Sequence, residues 1–491
     1  MGKHFASSGE VFGWISGFIN LERGQTPKSF RLDRMEFLTE LAGHPQRCAP
    51  SIHIAGSKGK GSVTSMLAAM LAAAGFRTAR YMSPHVIDIR ERICLNDTFF
   101  SEDIYCSAGS ELKHIIEELL PAAASSSSQA LKAGLFDPAA PDGCEPTFWE
   151  LLTLLFFLCA RHAKCDVMVV ETGMGGRLDS TNVLDPLVSV ITLIELEHTK
   201  FLGETITAIA GEKAGIIKTG RPLVLAKQCG EALEVFRKKA EEKNSPLFYF
   251  PEIAKLSGIN ITPIGTEFTL TFNCSQLAVQ YSMPIPGKVQ AENAALAIAA
   301  LKIACQNISH KNTGNTEAQG KIIEVNENAI RKGLASLKVP GRFEKIFEQP
   351  PFIIDGAHTP ESLALCIETF CYLYGVGGVL IFACAADKDE RAMAKIACSH
   401  FAKIIITTPG TFKVSNPEKV YEAFLRENDH TQAQKHGEKI MLIKDTQEAI
   451  RQAVDFAKTS HRDEKRKTLP ILGTGSFYLV SEIRGMDLFD S

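Results

Sequence analysis

The sequence predicts an α/β protein built from two doubly wound domains. Short apolar runs such as CDVMVVE alternate with helix-like segments, which is the pattern of a parallel sheet covered by helices on both faces. The length of 491 residues exceeds that of one ordinary domain. The strand–helix alternation also restarts after the segment VPGRFE. We therefore expect an N-terminal domain at residues 1–338 and a smaller C-terminal domain at residues 339–491.

The elements of the first domain follow from continuous apolar strands. In chain order these are SIHIAG, CDVMVVE, VSVITLI and PLVLA, and the helix VTSMLAAMLAAAG follows the first of them. The apolar run at residues 148–160 is shorter than the roughly 20 residues of a membrane span and contains Glu150, so it predicts a buried helix. The helix ENAALAIAALKIACQ closes the domain. Two segments rich in small and polar residues, 121–146 and 306–320, are predicted surface loops.

The second domain repeats the pattern with FIIDGAH, VLIFACAADKD, KIIITTPG, IMLIKD and LPILGTGSF. Each run reads as a strand, and helix-like segments separate the runs. Doubly wound sheets bind ligands beyond the carboxyl ends of their strands. The cleft between the two domains is therefore the expected site.

Composition excludes several classes of partner. Lys and Arg number 53 against 56 Asp and Glu, a net charge of −3, which indicates neither a nucleic-acid partner nor a membrane partner. The thirteen cysteines form no Cys-x-x-Cys pair, which argues against a zinc ribbon or a disulfide framework. The start MGKHFASSGE has no apolar signal core. We expect a cytoplasmic enzyme with reduced thiols.

A glycine- and lysine-rich loop, AGSKGKGS, follows the first strand and opens a helix. The usual phosphate-loop spelling does not fit, because Gly61 separates Lys60 from Ser62. The context still favours phosphate binding, since glycines let backbone N–H groups surround an anion and Lys60 adds a mobile cation. Ser62 is placed to reach a magnesium ion. The alternative is a glycine turn that binds nothing, and the two lysines make it the weaker interpretation.

Three polar residues follow strands that belong to this sheet. Glu171 ends a buried strand, Ser83 follows the second strand, and His198 follows the fourth. Strand ends of one parallel sheet meet at one edge, so these side chains are candidates for a shared cation site. Glu171 alone is equally well explained as a satisfied strand-end carboxylate, and His198 alone as a structural histidine.

Further candidates lie on both sides of the predicted cleft. Lys213 falls on a predicted helix, where a solvated lysine is the simpler interpretation. Asp355 and His358 come just after a strand of the second domain. Arg342 lies at the domain junction, from which its guanidinium can reach a phosphate across the cleft.

These motifs together resemble folylpolyglutamate synthase and dihydrofolate synthase, the folate branch of the Mur ligase superfamily. The resemblance runs along most of the chain through FRLDRM, GSKGKGS, SPHVIDIRERI, ETGMGGRLDSTNVL, EHTKFLGETITAIAGEKAGIIK, QAENAALA, PGRFE, DGAH, DKD and GSFYL. That family places Gly between the loop Lys and Ser, as Lys60, Gly61 and Ser62 do here. It implies an N-terminal P-loop-type ATPase domain, which is the Mur ligase-like central domain, and a C-terminal Rossmann-like glutamate-ligase domain.

The resemblance also implies an activity and a set of site residues. The activity is ATP-dependent ligation of L-glutamate to a folate-type carboxylate through an acyl phosphate, with ATP and Mg²⁺ and with room for a monovalent cation such as K⁺. ATP would contact Gly56, Ser57, Lys58, Gly59, Lys60, Gly61, Ser62, Asn293, Arg342 and Asp355. Magnesium would bind Ser83, Glu171 and His198. Lys213 would be carbamylated and support the metal site, so that the implied catalytic residues are Lys60, Glu171, His198 and Lys213. The incoming glutamate would meet His358 and Ser476.

Four positions depart from the usual family pattern, namely Lys58, Glu197, Val289 and Thr359. They leave the reaction class intact and the substrate preference open. The implied substrates are dihydropteroate or a reduced folate together with L-glutamate, and we expect a bifunctional monomer. Part of the pterin pocket should come from FRLDRM and SPHVIDIRERI. Competing interpretations are a Mur-type amino-acid ligase, a P-loop phosphotransferase or NTPase that makes no amide, and a binding protein without catalysis.

Overall fold

The computed structural model describes residues 4–20, 30–121, 146–311, 324–410, 414–431, 439–460 and 468–486. Within them the chain forms three sheets flanked by helices. The helices before the last sheet are α1 (Ser8–Ile15), α2 (Asp33–Leu41), α3 (Lys60–Ala73), α4 (Glu102–His114), α5 (Phe148–His162), α6 (Thr199–Leu202), α7 (Ile206–Lys213), α8 (Gly230–Glu242), α9 (Phe250–Ile253), α10 (Lys288–Lys311) and α11 (Glu327–Ala335). The later helices are α12 (Pro360–Tyr374), α13 (Glu390–Ala397), α14 (Pro417–Thr431), α15 (Thr446–Thr459) and α16 (Phe477–Gly485).

The first sheet has eight strands. They are β1 (Ser51–Ala55), β2 (Thr78–Tyr81), β3 (Ile93–Leu95), β4 (Thr98–Phe99), β5 (Val167–Glu171), β6 (Val188–Ile191), β7 (Leu223–Leu225) and β8 (Leu247–Tyr249). Their order is β4-β3-β2-β5-β1-β6-β7-β8, and only β3 and β4 run antiparallel to their neighbours. Because β1 lies between β5 and β6, the loop after β1 is flanked by the residues that end both neighbours.

Helices cover both faces of this sheet, as the apolar strands predict. One face packs against α3, α10 and α11, and the other against α1, α2, α4 and α5. The predicted buried helix is α5. Thr147 caps it in a reciprocal hydrogen-bonded box with Glu150, and almost every residue of the helix is buried. Among the described residues, no helix is long and apolar enough to cross a membrane.

A small antiparallel sheet was not predicted. It consists of β9 (Ala254–Thr262), β10 (Gly265–Phe272) and β11 (Ala278–Met283), in the order β11-β10-β9. It packs beside α10, which is the predicted closing helix but begins earlier, at Lys288, and runs to Lys311. The prediction of a loop at residues 306–320 is therefore wrong for residues 306–311, which continue the helix. Residues 312–320 of that segment and residues 122–145 of the other predicted loop lie outside the described residues.

The third sheet carries the second α/β unit. Its strands are β12 (Glu344–Glu348), β13 (Pro351–Ile354), β14 (Gly378–Phe382), β15 (Phe401–Ile406), β16 (Ile440–Leu442) and β17 (Ile471–Thr474). They lie in the order β12-β13-β17-β14-β15-β16, parallel except for the edge strand β12. Apolar cores fill both faces of this sheet. The expected α/β class with two wound parallel sheets is confirmed.

Candidate active site

A cleft of about 1720 Å³ is bordered by residues from all three sheets and their connecting loops. The carboxyl ends of β1, β5 and β6 open into it from the first sheet, and the loops after β13 and β17 open into it from the third. Parallel strands present backbone groups and loop side chains at this edge, which is where doubly wound folds bind ligands. The structure therefore contains a cleft where the sequence predicts the site.

The loop after β1 is held in a shape that requires glycine. Gly59 has φ +89°, and a Cβ there would lie 2.4 Å from the Oδ1 of Asn293. The N–H groups of Ser57 and Lys58 donate to the carbonyl of Leu193, at 2.8 and 3.1 Å. The amides of Ser57 and Lys58 are thus already hydrogen-bonded within the protein. The amides of residues 59–62, at the start of α3, are the ones placed to bind an anion.

Lys60 folds back onto its own loop, where its Nζ donates to the Gly56 carbonyl at 2.8 Å. Lys213, which ends α7, reaches the same carbonyl from behind, also at 2.8 Å. Its Nζ is 2.6 Å from the Oε1 of Glu197 as well, and the side chain is 1% exposed. Burial, followed by the repulsion of Lys60, lowers the pKa of Lys213 to about 8.

Glu171 ends β5 directly beside the loop. It is 3% exposed, and an added Cβ on Gly61 would lie 3.5 Å from its Oε2. Its recorded hydrogen bond is a long one from the N–H of Ser83, at 3.4 Å. Among the described residues no Lys or Arg forms an ion pair with it. Burial therefore raises the pKa of Glu171 to about 7, against the attraction of Lys60.

His198 is the N-cap residue just before α6, in a left-handed conformation with φ 47°, and it lines the cleft. Burial by surrounding atoms lowers its pKa to about 4, against the attraction of Glu197. A neutral imidazole is the form that ligates metals. Glu197 beside it is anionic: although burial raises its pKa, Lys60 and then Lys213 lower it to about 2.

These groups can accommodate a divalent cation. Glu171 is a buried carboxylate without an ion-pair partner in the described chain, and Ser83 adds a hydroxyl at the same strand edge. Carboxylate and hydroxyl oxygens suit Mg²⁺, which also keeps water and substrate phosphate oxygens as ligands. No three His, Cys, Asp or Glu side chains cluster as a metal cage anywhere in the described ranges. The donor set therefore fits a magnesium ion shared with a phosphorylated ligand better than an all-protein cage.

The third sheet contributes Asp355, which follows β13. Its two oxygens accept from the N–H groups of Phe343 and Ala357, both at 2.8 Å. Burial raises its pKa, and the neighbouring Arg342 opposes this. Arg342 faces the cleft with its guanidinium 4.3 Å from the ring centroid of Phe477.

His358 and Ser476 lie nearby. The Nδ1 of His358 is 2.9 Å from the Gly356 carbonyl, which can only accept, so Nδ1 carries the proton and Nε2 the lone pair. Burial, followed by repulsion from Lys58 and Lys388, lowers the pKa of His358 to about 3. The hydroxyl of Ser476 accepts from the N–H of Tyr478 at 3.1 Å and caps α16.

The structure brings nearly all of the predicted residues to one cleft. Gly56 belongs to the loop and Lys213 lies behind it, and neither lines the cleft. The others line it directly: Ser57, Lys58, Gly59, Lys60, Gly61, Ser62, Ser83, Glu171, His198, Asn293, Arg342, Asp355, His358 and Ser476. Their individual roles stay predictions.

Sequence reasoning identified one side of a further wall of the cleft, the FRLDRM segment, and missed the helix α5 residues that complete it. Arg34 and Glu150 form a buried ion pair there, with Nε to Oε1 at 2.8 Å. Trp149 lines the same wall under the guanidinium of Arg92, 5.0 Å from its ring centroid. The apolar run around Trp149 indicated burial, and FRLDRM was singled out, but nothing local in the sequence links the two segments.

Two domain families of known proteins match this chain, one in each α/β unit. Residues 112–301 match the Mur ligase middle domain, and residues 341–463 match the glutamate ligase domain of Mur ligases. The chain is 32% identical to a dihydrofolate synthase/folylpolyglutamate synthase of Bacillus subtilis (strain 168), over 80% of this chain and 83% of that protein. It is 30% identical to a folylpolyglutamate synthase of Lacticaseibacillus casei, over 92% of this chain and 93% of that protein.

Two solved structures extend the similarity to the whole fold. Folylpolyglutamate synthase of Mycobacterium tuberculosis complexed with ADP superposes with a TM-score of 0.78 at 26% identity, covering 98% of this chain and 99% of that one. A folylpolyglutamate synthase complex with AMPPCP and folate superposes with a TM-score of 0.75 at 28% identity, covering 97% and 98%.

Proposed function

Because this chain belongs to the folylpolyglutamate synthase and dihydrofolate synthase family of Mur ligases, we propose that it adds L-glutamate both to dihydropteroate and to reduced folates. The chain is an ATP-dependent carboxylate–amine ligase that uses ATP and Mg²⁺. The observation that carries the proposal is that one cleft is lined from both sides. The glycine-rich loop at Lys60 and the buried Glu171 line it from the first sheet, and Arg342 and Asp355 line it from the third.

The chemistry explains why such a ligase needs ATP. A carboxylate does not condense with an amine in water, because hydroxide is a poor leaving group. Transfer of the γ-phosphoryl group of ATP to the folate-type carboxylate gives an acyl phosphate and ADP. The glutamate amine then attacks the acyl carbon, and the tetrahedral adduct expels phosphate to leave the amide. Positioning and charge stabilisation supply most of the rate enhancement in such transfers.

The first domain holds the nucleotide phosphates in this proposal. Lys60 leaves the Gly56 carbonyl and bonds a phosphate oxygen, while the amides of residues 59–62 surround the others. Ser83, Glu171 and His198 would hold magnesium. When bound, that ion neutralises charge on the phosphoryl oxygens.

The third sheet completes the site from the opposite side. Arg342 and Asp355 contact ATP together with Asn293, which already touches the loop at Gly59. His358 and Ser476 meet the incoming glutamate. Neutral His358 has a free Nε2 lone pair, which suits a hydrogen bond from the glutamate ammonium.

We also propose that Lys213 is carbamylated, and its surroundings support this in part. Reaction with CO₂ requires a neutral amine, and burial brings its pKa down to about 8. The ion pair with Glu197 works in the opposite direction, because it favours the ammonium form.

The wall formed by Arg34, Trp149 and Glu150 is our proposed pterin pocket, as expected from the sequence for its FRLDRM side. Trp149 offers an apolar face for a flat ring, and the buried pair of Arg34 and Glu150 fixes the polar edge of the pocket. Ser83 and Pro84 of the SPHVIDIRERI loop also line the cleft.

The domain boundaries, the oligomeric state and the cellular compartment are further parts of the proposal. We propose domains at residues 1–338 and 339–491, because α11 ends at Ala335 and β12 begins at Glu344. A monomer in the cytoplasm is the simplest state for this enzyme, and the twelve cysteines in the described ranges are all free thiols. Its partners are small molecules, and no nucleic-acid or membrane partner is part of the proposal.

The test offers the purified enzyme dihydropteroate and tetrahydrofolate separately, each with ATP, Mg²⁺ and L-glutamate. We expect an amide product and stoichiometric ADP from both. Product from only one acid would defeat the bifunctional proposal. ATP turnover that needs neither acid nor glutamate would instead indicate a P-loop NTPase, and product with another amino acid in place of glutamate would indicate a Mur-type ligase.

A further inference from the structure

The ring of Phe477 lies where three loops of the third sheet meet. Gly356 donates to the carbonyl of Gly341 at 2.9 Å, and Gly475 donates to the carbonyl of Ala357 at 2.9 Å. These bonds tie together the loops that carry Arg342, the residues after β13, and Phe477 itself. The loops that carry the Arg342 guanidinium and the Phe477 ring are therefore held in a fixed position relative to each other.

The backbone closes around this ring. A Cβ on Gly356 would lie 2.5 Å from the Cε1 of Phe477, closer than side-chain atoms approach one another. Gly341, at φ +68°, is also bounded by the ring and by Val480, whose Cγ1 would lie 2.9 Å from an added Cβ. The ring thus has little freedom to turn away from Arg342.

Arg342 lies against the face of this ring, and the carboxylates of Asp355 and Glu171 attract it only from beyond ion-pair distance. Among the described residues no Asp or Glu forms an ion pair with it, and both oxygens of the nearby Asp355 accept backbone N–H groups. The guanidinium carbon is 4.3 Å from the Phe477 centroid. A ring face attracts a guanidinium through its quadrupole and leaves the five N–H donors free to bond an anion.

We propose that Phe477 is a positioning residue, which holds the Arg342 guanidinium toward the cleft so that it meets the phosphates of ATP. This inference rests on the proposed function, because it takes Arg342 as an ATP contact. A carboxylate in the place of the ring would hold the arginine equally well, but it would neutralise the charge that the phosphates require.

The experiment measures the affinity of the protein for Mg²⁺–AMPPCP by calorimetry. Phe477→Leu removes the ring face and should weaken binding about five- to thirtyfold, whereas Phe477→Tyr keeps the face and should stay within about twofold of wild type. Phe456→Leu is the matched control, because Phe456 is a half-buried ring 5.4 Å from the Lys403 ammonium in the same domain and outside the cleft. Its affinity should equal that of wild type. Phe477→Met, whose longer unbranched side chain adapts to the space of the ring, repeats the test if the leucine variant fails to fold.

A double-mutant cycle separates positioning from general packing. In an Arg342→Met background, Phe477→Leu should change the affinity less than about twofold, since its effect acts through the lost cation. Additive effects of the two substitutions, or unchanged binding by Phe477→Leu alone, would overturn the inference while leaving the ligase proposal intact. Wild-type protein that binds no nucleotide would overturn both.

Discussion

Replacing Glu171 with glutamine should make the protein more stable and catalytically inactive. Glu171 ends β5 at 3% exposure, and no Lys or Arg of the described chain pairs with it. Burying an ionised carboxylate without a partner is costly. Glutamine keeps the size of the side chain and removes the charge, so the substitution relieves that cost and removes a proposed magnesium ligand.

The size of the effect follows from the raised pKa. Raising the pKa from 4.5 to about 7 costs the native state about 3 kcal/mol once the carboxyl is ionised in both states. At low pH both states hold the proton and the cost is absent. Between pH 4.5 and 7 the unfolded chain releases its proton first, so stability falls as pH rises. Glu171→Gln should therefore exceed wild type by about 3 kcal/mol at pH 8 and by about 1 kcal/mol at pH 5.

Urea unfolding followed by tryptophan fluorescence can measure this difference, without nucleotide or Mg²⁺. The chain has only 2 tryptophans, Trp14 and Trp149, and both pack in the first domain with Glu171. The signal therefore reports the unfolding of that domain and is not mixed with the second. Glu234→Gln on the exposed face of α8 is the control and should leave the unfolding free energy within about 0.5 kcal/mol of wild type.

Two further readouts complete the test. Ligation by Glu171→Gln should fall by at least about a hundredfold, because loss of a metal ligand exceeds the usual cost of disturbing its supporting partners. Added Mg²⁺–ATP should stabilise wild type more than the variant. A variant that is less stable than wild type at pH 8, or a stability gap that is the same at pH 5 and pH 8, would refute the reasoning.

Three other substitutions test the remaining parts of the site. Lys60→Ala should abolish ligation while leaving the protein folded, since the side chain bonds a loop carbonyl and fills no apolar core; near-normal ligation would remove the phosphate-loop assignment. Lys213→Ala should lose ligase activity, and added acetate should restore part of it. Wild-type protein prepared in ¹³C-bicarbonate should show a carbamate signal by NMR, and absence of that signal would disprove the modification. Arg34→Met should leave the Glu150 carboxylate buried and unpaired, costing about 3–5 kcal/mol, and should raise the KM for dihydropteroate; an unchanged KM would move the pterin pocket elsewhere.

The features that were predicted from sequence are those encoded within a short stretch. The loop at Lys60 and the strand-end position of Glu171 each follow from a strand, a turn and a helix adjacent in the chain. The parallel order of the strands made their convergence predictable without distances. His198 joined the set for the same reason, as a residue just beyond a strand of that sheet.

The features that were missed depend on partners distant in sequence. Arg34 and Glu150 are 116 positions apart, and Lys213 reaches the Gly56 carbonyl across 157 positions. Phe477 carries no polar group, so its contact with Arg342 leaves no chemical signature in the sequence. The small sheet β9–β11 was missed because its strands mix buried, half-buried and exposed residues, and they lack the continuous apolar runs that revealed the buried strands.

The carbonyl of Leu193 restricts how this enzyme can evolve. It accepts from two amides of the phosphate loop, and the same short segment then leads directly to His198. An insertion or deletion within that segment would displace both the loop after β1 and the cleft-facing His198 in one event, so the length of the segment tolerates little change. The residues within it are not all free to vary, because the Glu197 carboxylate pairs with the buried Lys213. Directed-evolution libraries for new acid substrates should therefore keep the residue count of this segment fixed.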